Sequence, residues 1–327
     1  MRAIDSHTGG EPFRVITSGF PELKGETILE MRRDALENYD HIRKALMWEP
    51  RGHADMYGCI ITPPVRDKSD LGVLFTHNEG YSSMCGHGII ALSTVLIETG
   101  AIEAHEPETV IRIDSPAGLI TSYSRVVGQR VNSVRFKNVP SFVSEIGALA
   151  ETPTYGQVEY DLAYGGAFYA YVDAGSIGLK CETSYAGALI DAGREIKKAV
   201  EESREIVHPL ENDLGFLYGV IFVCGNNPFE SKNVCVFADG EVDRSPTGTG
   251  VSGRLAIHHA KGEIKTGESI VVESIVGSRF SGRVEKEVEL SGAPAVIPSV
   301  EGCAFITGRS EFYIDPDDAI GKGFLIR

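Results

Sequence analysis

Two short glycine-spaced segments, each leading into a run with helical periodicity, constrain this chain more than anything else in it. Cys85-Gly86-His87-Gly88-Ile89 and Thr247-Gly248-Thr249-Gly250-Val251 both read x-G-x-G-aliphatic and lie 162 positions apart in 327 residues. After the first, Ile89, Leu92 and Leu96 recur at helical spacing and Gly100 offers a C′ stop; the second predicts a helix from about Thr249 to Gly262. A separation of half the chain is what internal duplication leaves, although five residues with glycine at two of them also match by chance. The physical content does not depend on ancestry. A glycine-rich turn into a helix presents unpaired backbone N–H groups at the positive end of the macrodipole, which is an anion site. The same field favours the thiolate of a cysteine placed there, and Cys85 is so placed.

Around these segments the periodicity is mostly that of strands. GETILEM (25–31), YGCIITP, LGVLFTH and TVIRID in the first third, then LITSYSRVV, RVNSVRFKNV, QVEYDLAYG, AFYAYVDA, LYGVIFVCG and NVCVFAD, then SIVVESIVG, RVEKEVEL, AVIPSV, CAFIT and EFYID (311–315) all read as β. Two further helices are predicted, one over 34–47 with Leu36, Tyr39, Ile42 and Leu46 as its apolar face, and a long one from about Tyr185 to Val207. This is an α+β pattern and not a regular βαβ succession. The length favours two domains, and DSPAGLI (114–120), with Pro and Gly between two strand-like runs, marks the expected boundary.

Composition removes several function classes. Lys and Arg number 31 against 46 Asp and Glu, a net charge of −15 that repels phosphate backbones and anionic lipid, so no nucleic-acid partner is expected. The opening MRAIDSHTGGEP has no apolar signal core, and no uncharged apolar run approaches the roughly 18 residues of a membrane span; a cytoplasmic protein with no membrane partner is expected. Six scattered cysteines without a C-x-x-C pair are expected to be reduced, and all but Cys85 to be buried packing residues. Gly248-Thr249-Gly250-Val251-Ser252-Gly253 fits G-x-G-x-x-G with Glu273 twenty positions on, but DGEVDRSPT separates it from the preceding strand and no βαβ unit surrounds it. No nicotinamide site is expected there. No His and Cys cluster has zinc spacing, and the adjacent His258 and His259 point to different faces of a helix, so no metal and no other cofactor is expected.

DSHTGGEPFRV (5–15), EPRGHADMYG (49–58), MCGHG (84–88) and DRSPTGTG (243–250) together resemble the signatures of the proline racemase family, which includes hydroxyproline epimerases and trans-3-hydroxyproline dehydratases. The resemblance implies two pseudo-symmetric α/β domains of the diaminopimelate epimerase type, each a curved sheet around a central helix, with the active site in the cleft between the helix starts. It also implies that the tail returns to the first half, giving 1–118 plus 300–327 as one domain and 119–299 as the other. A small imino acid is the implied partner, and a homodimer is compatible with it. By family position the Gly86, His87, Gly248 and Thr249 backbone N–H groups bind the substrate carboxylate, Asp243 accepts from the ring ammonium, and Tyr57 and Phe237 wall the α-carbon. Turn chemistry at Asp243 and plain core packing at Tyr57 and Phe237 are the alternatives. His7, His53 and Asp55 lie in matching motifs and are read as structural.

Racemases and epimerases of this family carry cysteine at both helix starts, whereas this sequence has Cys85 at the first and Thr247 at the second. Inversion of a stereocentre needs a base on one face and an acid on the other, exchanging roles. A thiol with a reference pKa near 8.5 can do both, but an aliphatic alcohol is no base near neutrality. β-Elimination needs one base only. The expected activity is therefore dehydration of trans-3-hydroxy-L-proline, with a proline racemase or 4-hydroxyproline 2-epimerase as the rival reading and a non-catalytic amino-acid-binding protein as a remoter one.

Overall fold

The computed structural model describes residues 1–326. Its residues divide into two compact units, 1–136 with those from 303 onward, and 137–302. In the first, strands Arg2–Thr8 and Glu11–Ser18 form an antiparallel hairpin. Helix α1 (Ile28–Met47) crosses over to Tyr57–Thr62, which runs parallel to Glu11–Ser18. Leu71–His77 returns antiparallel, and the short Tyr81–Ser82 pairs antiparallel with it. Helix α2 (Gly86–Glu98) then crosses to Glu108–Ser115, parallel to Leu71–His77, and Gly118–Val127 closes a hairpin.

The second unit repeats this order step for step. Gly156–Tyr164 and Phe168–Asp173 are the antiparallel hairpin, and helix α3 (Ala186–Ser203) crosses to the parallel Leu217–Asn227. Glu230–Phe237 and Glu241–Asp243 follow antiparallel, helix α4 (Gly248–Ala260) crosses to the parallel Ser269–Glu273, and Arg279–Leu290 completes the set. Cys85 and Thr247 therefore stand at the same point of one repeated topology, ahead of the second crossover helix. Each unit is an α+β body of the kind the resemblance implies.

In both units the second crossover helix is central. Gly86–Ile97 of α2 is buried all round, against Arg2–Thr8, Glu11–Ser18, Gly118–Val127 and Ala304–Glu311. Gly248–His258 of α4 is likewise buried, against Phe142–Thr152, Gly156–Tyr164, Arg279–Leu290 and Ala293–Gly302. α2 carries no charged side chain before Glu98, and a helix without a polar face has no stable place at a surface; α4 instead buries Arg254, which donates to Ser231, Asn233 and His258. Ile89, Ile90 and Leu92 are wholly buried, each stabilising the unit by roughly 2 kcal/mol. The first crossover helices are one-faced and lie outside: α1 on Leu71–His77 and α3 on Phe142–Thr152, Leu217–Asn227 and Glu230–Phe237.

Several sequence expectations are corrected. GETILEM is no strand: Thr27 accepts from the Glu30 N–H while the Glu30 carboxylate accepts from the Thr27 N–H, a capping box that starts α1 at Ile28. The buried face of α1 is Ile28, Met31, Ala35, Ile42 and Leu46, whereas Leu36 is half exposed. DSPAGLI is the turn of the Glu108–Ser115 and Gly118–Val127 hairpin, held by Ser115 Oγ on the Gly118 carbonyl and by Ala117 N–H on the Ser83 carbonyl. The division falls at 136/137 and 302/303: the tail returns to the first unit close to the expected 300, whereas the other boundary lies beyond 118 because ladder pairing continues through that turn. EFYID leaves its strand after Glu311, and Phe142–Thr152 is a strand the periodicity did not reveal. Among the thiols, Cys303 is exposed and Cys224 half-buried, so the packing reading fails for both. Among the described residues no helix is long and apolar enough to cross a membrane.

Candidate active site

Cys85 is the N-cap of α2, in extended conformation and buried. Its sulfur accepts from the Gly88 N–H at 3.2 Å, and the α2 ladder begins with Ile89 N–H on the Cys85 carbonyl. Gly86 and His87 occupy the two positions between. The imidazole of His87 lies beside the thiol, Nδ1 at 3.3 Å and Nε2 at 3.5 Å from Sγ, and the His87 carbonyl accepts from Thr8 Oγ1 at 2.9 Å. A cysteine in the capping position gives its sulfur an N–H donor and the helix field together, both of which favour the thiolate. Glycine is required at 88, since a Cβ there meets Phe13 Cε2 at 2.5 Å and Cys85 Sγ at 2.8 Å.

Aromatic rings hold the His87 imidazole edge-on, Phe13 at 5.6 Å and Tyr57 at 4.9 Å between centroids. Tyr57 is buried, stacks on His77 and shares a 2.5 Å hydrogen bond with Ser82 Oγ. It thus belongs to the immediate surroundings of Cys85 through His87. His7 accepts from the Gly10 N–H in a turn, His53 Nδ1 sits against the Ala54 carbonyl, and Asp55 takes a positive φ of 62°.

The start of α4 is built differently. Thr247 precedes the helix at φ 65° and ψ 93°, a conformation that is strained for a β-branched residue. It is held there from both sides: its hydroxyl donates to Asp243 Oδ2 at 2.8 Å, and its N–H donates to Ser245 Oγ at 3.1 Å. Asp243 Oδ1 accepts from the Ser245 N–H at 2.7 Å, an Asx turn, so the turn chemistry allowed for this aspartate is present. Gly248 and Thr249 form the first turn of α4, and Thr249 Oγ1 shares a 2.8 Å hydrogen bond with the buried Tyr169 hydroxyl. Burial pushes the Tyr169 phenol far above its ordinary pKa and keeps it protonated. Phe237 is buried and stacks on Tyr218 at 5.3 Å.

The structure thus gathers Cys85, Gly86, His87 and Tyr57 at one helix start, and Thr247, Gly248, Thr249 and Asp243 at the other. Ser82, Phe13, Tyr169 and Ser245 were not singled out from sequence. Ser245 could have been, because D-x-S before a helix is an Asx-turn signal; Tyr169, 80 residues from Thr249, carries no local signal. Two cavities of the second unit, about 250 and 510 Å³, lie towards the C-terminal end of α4 and include none of these residues. Among the described residues no group of three or more His, Cys, Asp or Glu side chains could hold a metal ion.

Comparison with known proteins bears on the whole chain. A trans-3-hydroxy-L-proline dehydratase from Colwellia psychrerythraea is 50% identical over 329 residues, covering 100% of this chain and 93% of its own length. A 3-hydroxyproline 2-epimerase from Burkholderia multivorans is 46% identical over 331 residues, covering 100% and 98%. Among solved structures, a hydroxyproline epimerase from Agrobacterium vitis with bound trans-4-hydroxy-L-proline matches with a TM-score of 0.96 at 32% identity, covering 100% of this chain and 94% of that one. The family model described as proline racemase matches residues 3–325, and the chain belongs to the proline racemase family.

Proposed function

We propose that this protein dehydrates trans-3-hydroxy-L-proline to pyrroline-2-carboxylate and water, with the Cys85 thiolate as the base. The observation that carries the reading is the difference between two topologically equivalent helix starts: a capping thiol in one, a threonine whose hydroxyl proton is committed to Asp243 in the other. An alcohol so bound has no means of taking a proton from carbon near neutrality. The full-length likeness to the Colwellia psychrerythraea dehydratase supports the same choice.

In trans-3-hydroxy-L-proline the carboxylate and the 3-hydroxyl are on opposite ring faces, so the α-hydrogen and the hydroxyl share a face. Cys85 Sγ takes the α-proton, the electron pair forms the C2–C3 double bond, and the C3–O bond breaks as the new S–H returns the proton to the departing oxygen. Water leaves, the thiolate is regenerated, and the enamine tautomerises to pyrroline-2-carboxylate. The reading assigns the Gly86, His87, Gly248 and Thr249 N–H groups to the carboxylate and its developing enolate charge. Asp243 is assigned to the ring ammonium; its two oxygens each retain accepting capacity beyond the Thr247 and Ser245 donors. Tyr57 and Phe237 are assigned as apolar walls, and the reaction as assigned requires no cofactor.

A second reading, 2-epimerisation of 3-hydroxyproline, is favoured by the 46% identical relative of that name. Incubation with trans-3-hydroxy-L-proline in D2O separates the two. Pyrroline-2-carboxylate as the main product supports dehydration, whereas a deuterated 2-epimer without loss of water overturns it.

A further inference from the structure

Within the second unit two further thiols are brought together. Cys181 follows a short 3-10 turn (Ala174–Ile177), fixed by the Leu179 N–H on the Ala174 carbonyl; Cys224 lies on strand Leu217–Asn227. The Cys181 N–H donates to Cys224 Sγ at 3.0 Å, which brings the two residues together. The Cys181 S–H donates to the Phe222 carbonyl at 3.6 Å. Cys181 is buried and Cys224 is partly exposed, so a small reagent meets Cys224 first. Opposite Cys224 in the strand ladder stands Lys232, whose ammonium is paired with Glu273 at 2.6 Å.

We propose that Cys224 and Cys181 form a peroxide-oxidisable dithiol, a modification site separate from Cys85, in which Cys224 is attacked and Cys181 resolves the product. Cys224 Sγ takes one oxygen from a hydroperoxide: the O–O bond breaks, sulfur is oxidised by two electrons to the sulfenic acid, and the other oxygen leaves as water or alcohol. The Cys181 thiol then displaces water from Cys224 S–OH, forming the S–S bond. An oxidisable thiol needs thiolate character, access and a neighbouring resolving thiol, and this pair supplies all three. The contact with Cys181 pulls the Cys224 pKa down against the opposing effects of burial and the Asp173 carboxylate, while the same contact and burial push the Cys181 thiol up. The other thiols differ. Cys59 is wholly buried, which pushes its pKa far up, Cys235 is buried, and exposed Cys303 donates its S–H to the Asn132 carbonyl at 3.2 Å.

The test is a non-reducing peptide mass map of the full chain after treatment with a few equivalents of hydrogen peroxide and quenching with N-ethylmaleimide. The expected result is a Cys181–Cys224 linked peptide, formed while Cys303 is still recovered as its maleimide adduct. In Cys181→Ser the Cys224 oxidation should stop at a sulfenic acid that dimedone traps. Recovery of both Cys181 and Cys224 as maleimide adducts once Cys303 or Cys85 has oxidised, or linkage of Cys224 to any other cysteine, overturns the proposal. The wild-type map decides this even if the variant fails to fold.

Discussion

At Cys85 two jobs meet in one atom, since the sulfur that caps α2 is the sulfur proposed to take the α-proton. Serine separates them, because it is a strong N-cap but no base near neutrality. Cys85→Ser is expected to keep a melting temperature close to wild type while losing at least about 10²-fold in dehydration rate, read by calorimetry and a pyrroline-2-carboxylate assay. Retained turnover would remove Cys85 from the mechanism. Gly88→Ala goes the other way: the added methyl meets both Phe13 and the Cys85 sulfur, so a loss of about 1–3 kcal/mol is expected together with a fall in kcat/KM. On the Thr247 side, the position was legible in the sequence but the strain was not. A positive φ at a threonine follows from the Asp243 and Ser245 contacts that hold it there.

Among the elements, α1 shows how a local signal can be present and still be misread. The T-x-x-E capping box at Thr27 and Glu30 was legible, but the run GETILEM also suits a strand, and a β-rich neighbourhood favoured that reading. Thr27→Ala is expected to cost about 1 kcal/mol, measured by urea unfolding. Asp114, at the end of Glu108–Ser115, ties that strand to the 65–69 loop. Burial alone would raise its pKa, but the Arg66 ion pair, the Val65 and Arg66 N–H groups and the Ser69 hydroxyl outweigh it, and the net shift is downward. A carboxylate with a depressed folded pKa stabilises above its ordinary value of 3.8, and that contribution is lost as pH falls through the lower folded value. Asp114→Asn should therefore cost about 1.5–3 kcal/mol at pH 7, and the gap to wild type should narrow near pH 3; an unchanged gap would contradict the assignment.

For the whole molecule, the repeat is the organising fact. Hairpin, outer crossover helix, antiparallel strands, central crossover helix and second hairpin occur in the same order in both units, which gives the five-residue echo at 85 and 247 a structural counterpart. If α4 is the equivalent of α2 in function as well as topology, Thr247→Cys should gain measurable epimerisation of 3- or 4-hydroxyproline. Chiral chromatography with deuterium incorporation would detect it, and no gain would mean that the two helix starts differ in more than this residue.

The amino-acid sequence alone marked where the two glycine-led helices begin, and showed that one of these starts carries a thiol and the other an alcohol. Glycine-spaced starts, helical periodicity and residue identity are local properties that need no partner to be read. Tertiary structure decided the rest. Where the units divide, that Tyr169 meets Thr249 and that Cys181 meets Cys224 all depend on contacts between residues distant in the chain. Such contacts leave no periodic trace, because each is made by a single side chain whose partner is chosen by the path of the backbone.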